Sequence, residues 1–211
     1  METNELIGIL ARDPGPVVPL NQILINAGCA AVLMAAILFF MMIGFRTDIG
    51  LAIQSGRFLF KFAITLALVL SSCAVLIRIG KPGVPLGGVA VFLLSPLALA
   101  LVSAVAELWV MPSDTWLPRA IGHNALNCLT LIPLLSAAPL ACFLYGLRHG
   151  APQNPGVAGL VAGLVSAGIA ATFYASNCDD DSPLFVLLWY PVSIAFVALC
   201  GYVAGRFMLR W

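Results

Sequence analysis

Two of the six cysteines, Cys128 and Cys178, have a spacing that points to thiol chemistry. Cys128 opens one long apolar stretch, Cys178 closes the next, and Gln153 lies midway between them in the sequence. If the chain folds back at the turn around Gln153, the two sulfur atoms lie at the same height. A pair of thiols within reach of each other can form a disulfide, react with a thiol reagent or bind a soft metal ion.

The alternative interpretation is that Cys128 and Cys178 are two unconnected cysteines that serve as small apolar packing residues. The spacing alone leaves both interpretations open, although His123 and the acidic run 179–181 lie nearby in the sequence. No CxxC motif occurs, which argues against a thiol oxidoreductase coupled to quinones. The other four cysteines fall in the halves of their predicted helices that lie away from Cys128 and Cys178. We expect these four to be packing residues: Cys29, Cys73, Cys142 and Cys200.

The sequence lacks the common catalytic motifs. It contains no Ser-His-Asp order, no HExxH, no phosphate-binding loop and no dinucleotide fingerprint. We therefore predict that the protein is not an enzyme and needs no cofactor.

The composition defines the medium in which the elements must fold. Of 211 residues, 62% are hydrophobic and only 9% are charged, against roughly 25% charged in ordinary soluble domains. So few charges cannot cover the exterior of a water-soluble fold, so the expected solvent is the lipid bilayer. The net charge of +1 provides no basic field for nucleic acid, and we predict no direct binding to it.

Six apolar segments have the length of a membrane-crossing helix, about 20 residues each. They cover residues 22–44, 58–77, 86–110, 124–147, 156–176 and 184–205. Short connections between long helices favour antiparallel neighbours. The sequence thus predicts an all-α polytopic membrane protein, a single bundle of six transmembrane helices over residues 22–211, after a short cytoplasmic N-terminal segment, residues 1–21.

An even number of crossings places both termini on one side, and the positive-inside rule indicates which side. The terminal side carries six basic residues, Arg12, Arg78, Lys81, Arg148, Arg206 and Arg210. The other side carries four, Arg46, Arg57, Lys61 and Arg119. This excess predicts cytoplasmic termini and places Cys128 and Cys178 at the outer face.

Lys61 and Glu107 are the charged side chains within the predicted spans, where ionisable groups are costly. Both fall near the outer boundary. We expect them to extend to the headgroups or to pair with each other. The absence of a carboxylate from the middle of the spans argues against ion-coupled transport.

Small residues recur along the last two spans and predict close helix contacts, because lipid gives helices no hydrophobic reason to associate. One stripe contains Gly159, Gly163, Ala167 and Ala171, and a second contains Ser193, Gly201 and Gly205.

The N-terminal segment can form a short amphipathic helix with Leu6, Ile7 and Leu10 on its apolar face, ended by Asp13 and Pro14. Such a short helix cannot fold alone. It is either a membrane-surface helix or a docking strip for a partner.

Several motifs together resemble those of the NrsF family, and the similarity runs over the whole chain. They are Leu6, Ile7 and Leu10 with Pro16 and Val17, the segments 122–129, 147–152 and 178–183, and Tyr174, Trp189, Tyr190, Gly201, Gly205, Arg206 and the ending 209–211. The members of this family are negative regulators of an extracytoplasmic-function sigma factor, related to sigma F, in proteobacteria.

The resemblance implies an inner-membrane anti-sigma factor that binds a cytoplasmic extracytoplasmic-function sigma factor and releases it under metal or oxidative stress. The family's paired sensor cysteines correspond to Cys128 and Cys178, which also become the possible metal ligands. We expect the sigma factor to contact Leu6, Ile7, Leu10, Arg12 and Asp13. The competing hypothesis is a small membrane transporter or channel for a soft metal or thiol compound, with the same two cysteines at its mouth.

Overall fold

The computed structural model describes Glu5, Ile7 and residues 18–209, and the fold of this part is helical. Its α-helices are α1 (Leu20–Met42), α2 (Ile49–Ala52), α3 (Gly56–Ile79), α4 (Ser95–Val110), α5 (Trp116–Ile121), α6 (Ala125–Leu147), α7 (Pro155–Ala175) and α8 (Pro183–Met208). Two 3₁₀ segments, Gly87–Leu94 and Ser113–Thr115, precede α4 and α5.

In the described part of the chain, six helical segments have the length and apolarity needed to cross a membrane, which confirms the predicted all-α bundle. They are Leu20–Met42, Gly56–Ile79, Gly87–Val110, Ser113–Leu147, Pro155–Ala175 and Pro183–Met208. Helices suit a bilayer because their backbone N–H and C=O groups bond within the segment. The helix α1 begins at Leu20, two residues earlier than the sequence pattern indicated for the first span.

The third span differs from the prediction, because its first third is a 3₁₀ helix and not an α-helix. At the end of this segment Pro96 has no N–H to donate to the carbonyl of Phe92 four residues earlier, so the α-helical bond is missing there. The hydroxyl of Ser95 donates to that carbonyl instead, at 2.7 Å. A new α-helix then begins at Ser95, with proline in its first turn, where proline is tolerated.

α7 is the central helix of the bundle. In its apolar window 72% of the residues are buried, against 22 to 39% in the other five spans. It packs tightly on α8: a Cβ added to Gly163 would lie 2.8 Å from the Cα of Ala198, and one added to Gly159 would overlap the carbonyl of Gly201. The glycines of the two predicted stripes, Gly159 and Gly163 on α7 and Gly201 and Gly205 on α8, therefore do face each other.

The bundle has two ends, defined here by the residues that meet there; the names terminal end and outer end follow the sequence prediction of their sides. At the terminal end, the connection after α3 meets the start of α1 and the end of α6, where a Cβ added to Gly80 would contact Leu20 and Leu147. At the outer end, the loop between α7 and α8 meets the α1–α2 connection and the start of α6. Gly122, with φ of 60°, turns the chain into α6 there, and a Cβ at this position would lie 2.5 Å from Phe185.

Candidate functional site

Cys128 and Cys178 lie in one buried cluster at the outer end of the bundle. Cys128 is in the first turn of α6 and is 0% exposed, and Cys178, in the loop after α7, is 1% exposed. The same apolar cluster contains Tyr174, Phe185 and Tyr190. The fold thus collects both thiols in one close-packed volume.

The two thiols have few polar neighbours. The Sγ atom of Cys128 is 3.7 Å from the Oγ atom of Ser193, whose hydroxyl donates to the Cys128 carbonyl at 3.1 Å. The Sγ atom of Cys178 donates weakly to the carbonyl of Asp180 at 3.9 Å. All six cysteines lie in the described part of the chain and all are free thiols. Burial raises the pKa of the Cys178 thiol, although the nearby Lys61 ammonium opposes this rise, so the thiol rests protonated.

Lys61 anchors the loop that carries Cys178. Its Nζ atom donates to the Cys178 carbonyl at 2.8 Å and lies 2.6 Å from Oδ1 of Asp181, an ion pair without hydrogen-bond geometry. The lysine is only 1% exposed. The expectation that Lys61 extends to the headgroups, or pairs with Glu107, is therefore wrong. Its counterion comes from a residue 120 positions later in the sequence, which the local pattern could not show.

Arg46, from the connection between α1 and α2, is a second anchor for the same loop. Its Nη1 atom donates to Asp181 at 2.9 Å and to the Cys178 carbonyl at 3.3 Å. Its Nε atom donates to Asp48 at 2.6 Å. The bond with Asp48 is the main cause of a raised Arg46 pKa and of a lowered Asp48 pKa. Two cations thus hold the carbonyl of Cys178 and the carboxylate of Asp181.

Glu107 fixes the other side of the loop, and it too is buried, at 5% exposure. The arginines Arg119 and Arg57 lie 3.2 and 3.5 Å from its Oε1 atom. Its Oε2 atom accepts a hydrogen bond of 2.7 Å from the hydroxyl of Ser182, the residue that caps α8. Extension of Glu107 to the headgroups was also a wrong expectation, because the carboxylate is used to hold the start of α8.

The acidic run 179–181 is turned inward onto the start of α6. Oδ2 of Asp180 accepts the backbone N–H groups of His123 and Asn124, each at 2.8 Å. The amide of Asn124 also donates to Asp179. The His123 ring itself remains at the surface, 96% exposed. The Cys178 loop is therefore bonded to α3, to the α1–α2 connection, to α4 and to α6.

Two of the sequence predictions, the metal site and the contacts with the sigma factor, stay predictions. Within residues 18–209, no group of three or more His, Cys, Asp or Glu side chains is placed to hold a metal ion, so a site with Cys128 and Cys178 alone stays a prediction. Of the expected sigma contacts, Ile7 is helical and 58% exposed, and the others, Leu6, Leu10, Arg12 and Asp13, lie outside the described residues.

Sequence reasoning missed three residues that support the thiols: Arg46, Asn124 and Ser193. Ser193 was assigned to a packing stripe, but it bonds across to α6 at Cys128. The signal for Arg46 was present, because the topology puts it on the same side as the acidic run, and opposite charges on one face of a membrane protein are candidates for pairing.

Six membrane-length helices with their polar network gathered at one end define a polytopic membrane protein. The chain belongs to the NrsF family: the family model described as "Negative regulator of sigma F" matches residues 10–211. It is 31% identical to the "Anti-sigma-F factor NrsF" of Caulobacter vibrioides and 28% identical to the "Probable anti-sigma-F factor NrsF" of Azospira oryzae, over the full length of each chain. No solved structure matches. Membership of this family makes the protein an anti-sigma factor, with a regulatory role and a sigma factor as partner.

Proposed function

We propose that this protein is an inner-membrane anti-sigma factor that releases an extracytoplasmic-function sigma factor when Cys128 and Cys178 react with a metal or an oxidant. The excess of Lys and Arg on the terminal side, six against four, supports cytoplasmic termini. The outer end then faces the periplasm, where such stresses arrive. The segment 1–21 is the cytoplasmic part, and residues 22–211 form the membrane domain.

The observation that carries the proposal is the burial of both thiols in the contact between α6, α7 and α8. A bound metal, an added oxygen or a new disulfide changes the volume and shape at a sulfur atom that is buried among packed side chains. Close-packed interiors respond to such changes by shifting whole elements. Reaction at Cys128 or Cys178 therefore favours a second arrangement of the helices.

Lys61 and Arg46, which anchor the loop, control how readily Cys178 can react. The thiolate is the reactive form of cysteine, and burial raises the Cys178 pKa and keeps the thiol neutral. An oxidant or metal reaches Cys178 only when the loop opens, and opening must break the contacts of Lys61 and Arg46 with Asp181. The loop thus protects the sensor under resting conditions.

The change reaches the terminal end along α6, which starts at the Cys128 turn and ends at Leu147. A tilt at the start of this helix displaces its other end, which packs beside the start of α1, the helix that follows the N-terminal segment in the sequence. A difference of about 3 kcal/mol between the two arrangements changes sigma affinity by roughly two orders of magnitude. The contacts for the sigma factor are Leu6, Ile7, Leu10, Arg12 and Asp13.

The sensor role is tested in cells with a reporter for the regulon and a soft metal salt as inducer. We expect the variant Cys128→Ser with Cys178→Ser to lose induction, because serine neither binds soft metals well nor forms a disulfide. Cys200→Ser is the matched control, since Cys200 is exposed on the surface of α8. Full induction in the double variant would refute the sensor role.

The site of sigma binding is tested by deleting residues 2–15. We expect the sigma factor to become soluble while the truncated protein still inserts into membranes. If the sigma factor continued to sediment with the membranes, the contact would move to the turns at Arg78 and Arg148.

A further inference from the structure

A groove of about 810 Å³ runs between α1 and α6 from the terminal end toward the middle of the bundle. On α1 it extends from Val18, just before the helix, to Ala30. Ala30 is ten residues beyond Leu20, or about 15 Å at 1.5 Å per residue. The groove therefore covers about half of the hydrocarbon thickness of a bilayer.

The deep part of the groove is lined mainly by small apolar side chains, and the Asn26 side chain in its wall accepts a hydrogen bond of 3.1 Å from the Gln22 amide. Its walls include Ala27, Ala30 and Cys142. At its base the two helices nearly touch, because a Cβ added to Gly146 would lie 3.2 Å from the Cβ of Ala27. A long apolar channel that opens sideways and ends at mid-membrane matches the shape of an acyl chain.

The mouth of the groove is polar and basic. Arg148 follows α6 directly and is exposed, and it makes no ion pair with any residue of the described part of the chain. The His149 ring bonds the Tyr145 carbonyl through Nδ1 at 3.2 Å and meets the Tyr145 ring edge-on, with centroids 5.3 Å apart. Tyrosine is typical of the headgroup level. Among the described residues that line the groove, none has an acidic side chain.

We propose that this groove binds one anionic glycerophospholipid, with an acyl chain along Ala27 and Ala30 and the phosphate at Arg148. Basic pockets between transmembrane helices at the cytoplasmic side are suited to anionic headgroups. The partition of the groove into an apolar channel and a cationic mouth favours a lipid over a soluble phosphate. The inference rests on the membrane placement proposed above but is independent of the anti-sigma activity.

The bound lipid also has a structural consequence. It joins α1, which follows the N-terminal segment, to α6, which carries Cys128 at its opposite end. The lipid therefore occupies the place at which a movement of α6 is passed to α1.

The test uses the purified full-length protein in detergent, titrated with phosphatidylglycerol or phosphatidylcholine of identical acyl chains and analysed by native mass spectrometry. We expect phosphatidylglycerol to bind about fivefold more tightly, the effect of one basic residue near the headgroup. Arg148→Gln should remove this preference. Arg206→Gln is the control, because Arg206 lies at the same end but stacks on Tyr202 of α8.

A second variant tests the channel separately from the charge. Ala30→Phe should weaken both lipids and leave their ratio unchanged, and inorganic phosphate should not compete with either lipid. Equal affinity for the two lipids, an unchanged preference in Arg148→Gln or effective competition by phosphate would each overturn the proposal. Because the measurement uses no sigma factor, its failure is distinct from a failure of the proposed regulation.

Discussion

The two ends of the bundle are held together by different forces. At the outer end, Lys61, Arg46 and Glu107 make charged contacts with the loop around Cys178. Toward the terminal end, α7 and α8 meet through glycines, with Gly159 against Gly201 and Gly205. The helices α7 and α8 are thus held by charged contacts at the loop that joins them and by close packing of glycines near their other ends.

This difference has a thermodynamic meaning. Buried charges are expensive unless paired, so removal of one partner shifts the balance between two arrangements strongly. Contacts between small residues depend only on shape, and in lipid they supply much of the helix association. We infer that the outer end is the adjustable part of the molecule and the glycine contact is its fixed part.

The largest expected effect comes from Asp181→Asn at the outer end. This change leaves the buried Lys61 ammonium without a counterion and should lower the free energy of unfolding by about 3 kcal/mol. It should also speed the alkylation of Cys178 by a membrane-impermeant maleimide. Both quantities are measured on purified protein, by thermal unfolding in detergent and by mass spectrometry of the labelled thiol.

Two further variants make this result specific. Asp114→Asn, the same change at an exposed aspartate outside the loop, should leave the alkylation rate close to that of the original protein. Adding Lys61→Met to Asp181→Asn should recover part of the lost stability, because no unpaired buried charge remains. Equal labelling of Cys178 in all variants would contradict the protective role of the loop.

The sequence predicted the spans better than the charged contacts, and the reason is physical. A span of about 20 apolar residues is a local property, so the six helices could be read directly. The Lys61–Asp181 pair is not local, since it depends on how the loop after α7 folds back onto α3. The same holds for Glu107, whose partner Ser182 lies 75 positions later.

The second effect, of intermediate size, concerns the glycine contact. Gly159→Ala places a methyl group against the carbonyl of Gly201, so α7 and α8 must move apart, at a cost of about 2 kcal/mol. Gly56→Ala is the matched control, because no atom lies within 4 Å of its added Cβ. The midpoint of thermal unfolding should fall in the first variant only, and the alkylation of Cys178 should change less than in Asp181→Asn.

The candidate site was predictable in part for the same reason as the spans. Cys128 and Cys178 are equally distant in sequence from the turn at Gln153, so a hairpin folded there brings both to one end. The supporting hydrogen bond from Ser193 to the Cys128 carbonyl depends on the rotation of α8 about its axis. Small residues occur on more than one face of that helix, so their pattern does not determine the rotation.

The smallest effect is expected for Asp48→Asn, at the exposed edge of the outer network. The hydrogen bond from Arg46 lowers the Asp48 pKa below its ordinary value of 3.8. A carboxylate with a lowered pKa in the folded state stabilises the fold above that ordinary value, and the stabilisation is lost as the pH falls through the lowered pKa. The midpoint of thermal unfolding of Asp48→Asn at pH 7 should therefore be close to that of the original protein, because solvent screens this contact. Below about pH 4 the original protein should lose this contribution and the variant should not. A drop at pH 7 as large as that of Asp181→Asn would show that Asp48 is also part of the buried anchor and that the adjustable region extends to the surface.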